Sequence, residues 1–413
     1  MEFKGNGKIK FDNRNEYNCS FTIHHSDSGD TEVAINTAGN CDAVSQEFGS
    51  LTDPSLKKVM LDGQTTDGYA FRIQITVRKF NGNGTAGRFD FIGISGSITL
   101  KGSSASNPSS YLCYLTNLLF YGTHQTALAN GGWTLDRLPV QLLSRDCEFR
   151  MLDDRQKFRD SFEQTKIQIT SVLMIPFQAG DGFESLQAEL LDICDLLSFA
   201  QGCFVSCVRV DEIDSAGTVI AIHLLTTKTR PFVGGFETIP DNTQPEPHLK
   251  LFLESSLAAY KIHKAPLQLA GFLTYYLEAK LHNTKSIKFL LACIAAESIK
   301  SNYADWQGLP RAPKNFFERV FRWIMQHTFG SSPTSFRFLL SQTFIHFGIS
   351  GEKFTFIKFR NNVIHTGDEN LSFPDWTREH FKLTNQLDRL FLGICNYKGK
   401  YYDLSDNFAV KST

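Results

Sequence analysis

Up to about residue 225, apolar and polar residues alternate in short runs separated by clusters of Gly, Asn, Asp and Ser, and each run predicts a strand. Phe21 to His24, Tyr69 to Phe80, Arg88 to Leu100 and Lys166 to Pro176 are the clearest. In Phe71-Arg72-Ile73-Gln74-Ile75-Thr76-Val77 the period is two, as a strand with one buried face requires. Asn81-Gly82-Asn83-Gly84 ends that run as a turn. A helical interval interrupts the pattern: Phe183 to Ala200 carries Leu186, Leu190, Ile193, Leu196 and Leu197 at helical spacing, with Gly202 as a stop before a strand from Phe204 to Val210. Residues 1–237 therefore read as a β-rich, sandwich-like domain with one packed helix.

From Thr238 to His248 the chain has three prolines and no apolar period, which predicts a linker. Beyond it the period changes to that of a helix. Leu249 to Leu281, Lys285 to Tyr303, Asn315 to Phe329, Thr334 to Phe347, Phe354 to His365 and Pro374 to Asn396 repeat apolar residues at i, i+3, i+4 and i+7. Asn283-Thr284 and Ser332-Pro333 supply helix starts, and Gly308-Leu309-Pro310 and Gly330 supply stops. The fold class is α+β: a β-rich domain followed by a helical bundle over 249–413.

Composition narrows the partners without naming one. A length of 413 residues implies more than one core, and a net charge of −1 removes any global basic field, so contact with nucleic acid must be local. The nine cysteines, Cys19, Cys41, Cys113, Cys147, Cys194, Cys203, Cys207, Cys293 and Cys395, are odd in number and lack paired CxxC spacing. That pattern argues against a disulfide framework and a zinc site and for reduced thiols. No run is long and apolar enough to span a bilayer, and the N-terminus does not have the form of a signal peptide, so a cytoplasmic protein with no membrane partner is expected.

Several motifs read as structure. Gly82-Asn83-Gly84-Thr85-Ala86-Gly87 fits GxGxxG, but Arg88-Phe89-Asp90-Phe91-Ile92-Gly93-Ile94 continues as a strand where a dinucleotide site needs a helix, so a hairpin is favoured. Cys203 and Cys207 read as small buried hydrophobes, and His24 and His25 point to opposite faces of one strand.

One segment carries candidate chemistry. Arg360-Asn361-Asn362-Val363-Ile364-His365, followed by Thr366-Gly367-Asp368, places a permanent cation, an amide and an imidazole at the end of an apolar helix. Arginine can grip a phosphate through parallel N–H bonds, and imidazole moves protons near neutrality. At about 100° per residue, Asn361 and His365 share a face while Arg360 reaches across from the side. The same residues also suit a second role, in which Arg360 and His365 satisfy helix C-terminal carbonyls or a neighbouring acid. Arg322 to His327 repeats the spacing, but Trp323 and an aromatic-rich context give it the reading of a packed helix end. Asp368 and Glu369 do not form a metal-binding cluster, and no metal or cofactor is expected.

The Arg360-Asn361-x3-His365 pattern, with the upstream helix Ile287 to Ile299 ending in Glu297-Ser298, resembles the HEPN family over about Asn283 to Asn396. The order of a β-rich domain and then helices is similar to ApeA-type prokaryotic anti-phage defence proteins. The resemblance implies an all-α HEPN-like bundle and a metal-independent endoribonuclease serving abortive infection. It implies RNA, tRNA included, as substrate, and a homodimer through the helical domain that brings Arg360, Asn361 and His365 of both subunits into one cleft. A phage-derived trigger would act at the N-terminal domain. Glu297 fits either orientation of one of these groups from a facing helix or a structural ion pair. The alternative is a non-catalytic HEPN binding or dimerisation module with a sensing N-terminal domain.

Overall fold

Alternating residues leave every early strand one apolar face, and both a sandwich and a barrel can bury such faces. In the computed structural model the ladders decide for a barrel. The structure describes the chain apart from residues 12–15, 39–57, 84–87, 104–105, 128–132, 154–157, 159–166, 228–229, 231–236, 241–246, 310–334 and 361–372. Strands β1 (Glu2–Phe11), β2 (Glu16–His25), β3 (Thr31–Ala38), β4 (Lys58–Thr65), β5 (Ala70–Asn83) and β6 (Arg88–Ser95) pair antiparallel in the order β1-β2-β3-β6-β5-β4. β4 then pairs back onto β1, so the six strands close. This replaces the sandwich that alternation suggested. β5 supplies the bend: at 14 residues it is the longest described strand, and its register with β6 shifts between Val77 and Lys79.

The barrel is filled by pairing large residues with none. Phe21 and Phe71 meet edge to face at 4.9 Å inside it. Opposite them stand Gly5 and Gly63, where an added Cβ would lie 2.6 Å and 2.7 Å from the Phe21 ring. Asn83 at the end of β5 stands opposite Arg88 at the start of β6 in an antiparallel pair, as the hairpin reading expects, while residues 84–87 lie outside the described residues. The run from Arg88 to Leu100 is two strands, β6 and β7 (Ile98–Lys101), divided at Gly96-Ser97.

From Ala70 opposite Lys101 the ladder leaves the barrel as an open antiparallel sheet. Its order is β7-β14-β13-β8-β12-β11-β10-β9, with β8 at Ser110–Thr116, β9 at His124–Ala127, β10 at Trp133–Leu142, β11 at Arg145–Met151, β12 at Ile169–Pro176, β13 at Ser206–Ile213 and β14 at Val219–Leu224. His25 ties the two parts together. It is buried, its Nδ1 is 2.8 Å from Thr31 Oγ1, and its Nε2 is 2.8 Å from the carbonyl of Val208 on β13. His24 faces the other way and stays half-exposed beside Glu2.

Helix α1 (Phe183–Gln201) packs on β13, and Gly202, at φ 67°, closes it with its N–H on the carbonyl of Phe199. The later helices are α2 (His248–Leu267), α3 (Leu269–Leu281), α4 (Lys285–Trp306), α5 (Phe336–His346) and α6 (Phe373–Ile394), and residues 356–360 are also helical. The expected single helix Leu249 to Leu281 is two, broken at Gln268, which adopts φ 50°. Pro266, inside the last turn of α2, takes one N–H from the ladder there and weakens that turn. The expected helix Asn315 to Phe329 lies outside the described residues. The region is not all-α: β15 (Lys400–Asp403) and β16 (Ala409–Ser412) form a terminal hairpin around Asn407 and Phe408, both at positive φ.

The hydrophobic core does not divide at the Pro-rich segment. One cluster fills the barrel together with β7 and β14; the other runs continuously from Tyr111 on β8 through α1 to Tyr401 on β15. Phe199 of α1 stacks at 4.2 Å on Phe391 of α6, so the sheet's helix and the last helix share one aromatic centre. Thr238 and Ile239 are buried, with both backbone N–H groups on the carbonyl of Ala200, so the start of the Pro-rich segment belongs to the core.

His380 on α6 is half-buried at the edge of this core, with its Nδ1 shut off from solvent. Burial, then the positive charges of Lys288 and Lys280, push its pKa down to about 4. In the unfolded chain it titrates near 6.5, so the stability tied to its neutrality is whole above that value and is lost as pH falls through the depressed folded value. The loss should approach about 3 kcal/mol, since each tenfold change in proton affinity is worth about 1.4 kcal/mol. Urea denaturation between pH 7 and 4 checks it: His380→Gln should flatten the acid slope of the wild type, and parallel slopes would remove the imidazole from the account.

Candidate functional site

α4 is the helix on which the candidate site is built, packing against α2, α3, α5 and α6. Phe289, Ala292, Cys293, Ala296, Ile299 and Tyr303 form its buried stripe at the 3.6-residue period. Glu297 lies at the edge of that stripe, one turn after Cys293 and one turn before Lys300 and Ser301, so the backbone alone brings all four to one flank.

Arg360 comes to this flank from the helical segment 356–360. Its Nη2 donates to Glu297 Oε2 at 3.2 Å, and its guanidinium carbon lies 4.7 Å from the ring centre of Phe336, the first residue of α5. Lys300 Nζ donates to the other carboxylate oxygen of Glu297 at 2.5 Å and stands 5.0 Å from the same ring. Ser301 Oγ adds a longer bond to Glu297 at 3.4 Å. Ser335 holds the phenyl ring in place by capping α5, its side chain accepting from the N–H of Phe338 at 3.1 Å. Two cations therefore converge on one carboxylate over one aromatic face, leaving the trio with a net positive charge.

Exposure grades across the site. The Arg360 side chain is 23% exposed and Glu297 39%, so an incoming anion can reach both, while Lys300 is nearly covered. Beneath them, burial pushes the Cys293 thiol up to about 12 and Arg360 only partly opposes it, so the thiol stays protonated and unreactive near neutrality. Chemically, Arg360 is oriented by a carboxylate that occupies the position of an anion. A phosphate reaching Arg360 would compete with Glu297 for the guanidinium and would meet the charge of Lys300 as well.

Of the residues predicted from sequence, Arg360 is placed against Glu297; Asn361 and His365 lie outside the described residues, as does the second match, Arg322 to His327. Sequence reasoning missed Lys300 and Phe336. Lys300 was open to discovery, since i to i+3 spacing from Glu297 signals a helix pair. Phe336 was not, because its ring arrives from a different helix. Cys203 and Cys207 are both buried, and burial pushes both thiols far up. Among the described residues, no three or more His, Cys, Asp or Glu side chains are grouped to hold a metal, and no helix is long and apolar enough to cross a membrane. No protein-family model, curated protein or solved structure matches the chain.

Proposed function

We propose that the chain is a metal-independent endoribonuclease of the HEPN type. The observation that carries this reading is the partly exposed Arg360, drawn with Lys300 around Glu297 at the head of the Arg360-Asn361-x3-His365 pattern. In the proposed reaction the RNA 2′-oxygen forms a bond to the adjacent phosphorus and the bond to the 5′-oxygen breaks, leaving a 2′,3′-cyclic phosphate and a free 5′-hydroxyl. His365 takes the 2′-hydroxyl proton, and His365 of a second protomer returns one to the leaving oxygen. Arg360 neutralises the charge that grows on the phosphoryl oxygens, and Asn361 fixes geometry by a hydrogen bond to His365 or the phosphate. Glu297 sets the direction of Arg360 before substrate arrives. The homodimer forms through the HEPN-like helices of the second half, and the β-rich region acts as the sensor of a phage-derived trigger in cytoplasmic abortive infection.

A second reading is favoured by the same ion pair. Glu297 and the Phe336 ring also fasten the 356–360 segment to α4 and α5, a sufficient role in a non-catalytic binding or dimerisation module. RNA cleavage in EDTA by wild type, Arg360→Ala and His365→Ala separates the two. The nuclease reading expects EDTA-resistant cutting by wild type alone; equal cutting by all three places the activity elsewhere.

A further inference from the structure

On the far side of α4 a cavity of about 260 Å³ is walled by Lys280, Lys285 and Lys288 and by Trp376, His380 and Thr384 of α6, among others. Its volume is close to the lower end of the roughly 300–1,000 Å³ usual for small-molecule sites. Glu297 lies nine residues beyond Lys288, half a turn round the helix, so this cavity is separate from the Arg360 site.

Its polar lining is one-sided. No carboxylate stands among the described residues that line it. Lys280 is answered from behind the wall by Asp388 at 3.6 Å, but Lys288 has no carboxylate partner among the described residues. Burial, then the neighbouring charge of Lys285, disfavours the ammonium of Lys288. On α6, one turn apart and on one face, His380 Nδ1 and Thr384 Oγ1 are both shut off from solvent with no hydrogen-bond partner, and Thr384 is only 1% exposed. Buried polar atoms are left without partners rarely, because each forgoes its bond to water. A lysine short of an anion and two residues that each carry an orphaned polar atom therefore line one space.

The cavity continues into a wider groove of about 490 Å³ that shares Thr377, Phe381 and Leu404 and adds Phe408. Phe408 is 40% exposed, and its ring meets that of Phe381 edge to face, with centres 6.4 Å apart, giving an aromatic corner beside the cationic end. We propose that this cavity binds a small phosphate monoester carrying a planar ring, the phosphate against Lys288, Lys285, His380 and Thr384 and the ring along Phe381 and Phe408. A ligand of nucleotide size satisfies both ends at once; a bare anion satisfies one.

Isothermal titration of the full chain with AMP, inorganic phosphate and adenosine tests this. AMP should bind saturably, phosphate more weakly, and adenosine not measurably. Lys288→Met should weaken AMP about tenfold or more, the size of one lost charge-assisted hydrogen bond. Because Lys288→Met removes a half-buried cation without a carboxylate partner, its denaturation midpoint should not fall. Lys285→Met, at an exposed position, gives the same comparison at a second lysine, its denaturation midpoint measured alongside. The proposal is overturned if AMP shows no binding at about 1 mM, if both lysine variants bind AMP as wild type does, or if adenosine binds as well as AMP. Binding of a short single-stranded RNA without binding of AMP would also overturn it, assigning the cavity to a nucleic-acid track.

Discussion

Arg360→Ala is expected to lower the rate of RNA cleavage about 10²–10³-fold, the usual cost of removing one preorganised donor from developing negative charge. The same change should cost the fold no more than about 1 kcal/mol, since its pair with Glu297 is partly exposed and water screens it. That combination, large in activity and small in stability, is what a structural role for Arg360 does not produce. Glu297→Gln sharpens the comparison. It keeps the shape of the carboxylate while removing its charge, so Arg360 loses its ionic anchor but not its place; cleavage should fall by less than in Arg360→Ala. Single-turnover cleavage and urea denaturation on each variant measure both sides. Mixing Arg360→Ala with His365→Ala protomers should restore part of the activity, because the shared cleft then holds one intact arginine and one intact histidine, each from a different protomer. No recovery in a confirmed mixed dimer would rule out a composite site.

The largest effect on stability is expected at Asp388. It is fully buried on α6, accepts a hydrogen bond from the Tyr276 hydroxyl, and faces the Lys280 ammonium at 3.6 Å. Lys280 is covered as well, donates to Thr238 Oγ1 at 2.7 Å and lies 4.7 Å from the centre of the Tyr276 ring. Burial drives the Asp388 pKa up and the Lys280 pKa down, and each charge opposes the shift of the other. Asp388→Ala leaves the ammonium in a low-dielectric core with no counter-charge, which should cost about 3–5 kcal/mol. Lys280→Met combined with Asp388→Leu should recover much of that loss, because the desolvation of both ions goes with them. Equilibrium denaturation of the single and double variants checks both; a loss below about 1 kcal/mol for Asp388→Ala would mean that water reaches the pair.

Thr238 makes this network more than a helix contact. It receives the Lys280 bond, approaches the Tyr276 hydroxyl at 3.1 Å, and hangs from the end of α1 by its own N–H. The first residue of the Pro-rich segment thus joins the sheet's helix to α3, whose Tyr276 and Lys280 in turn meet Asp388 of α6. Composition marked a linker there because prolines and polar residues carry no period. The hydrogen bonds that hold its first residues come from α1 and α3, each about 40 residues away, and from Tyr402 of β15, and no local pattern contains them.

Legibility at the candidate site follows the same rule. Arg360 stood out because its residue type and spacing carry a chemistry, and Glu297 because it follows the right apolar stripe on an upstream helix. That the two meet at 3.2 Å over Phe336 depends on how α4, α5 and the 356–360 segment cross. The cavity behind Lys288 had no signal at all, since three lysines and a histidine on separate helices read as ordinary surface charge until α4 and α6 are packed.

By itself the sequence determined what local physics controls: strands in the first half and helices in the second, the antiparallel return from β5 to β6, the stop at Gly202, and the opposed faces of His24 and His25. Each rests on side-chain period or backbone dihedral preference, which a few neighbouring residues set. Only the tertiary structure decided that six strands close into a barrel, that α1 and α6 share an aromatic core, and that Lys280 has Asp388. Closure, shared burial and ion pairing are relations between segments far apart in the chain, and their energies exist only once those segments have excluded water together.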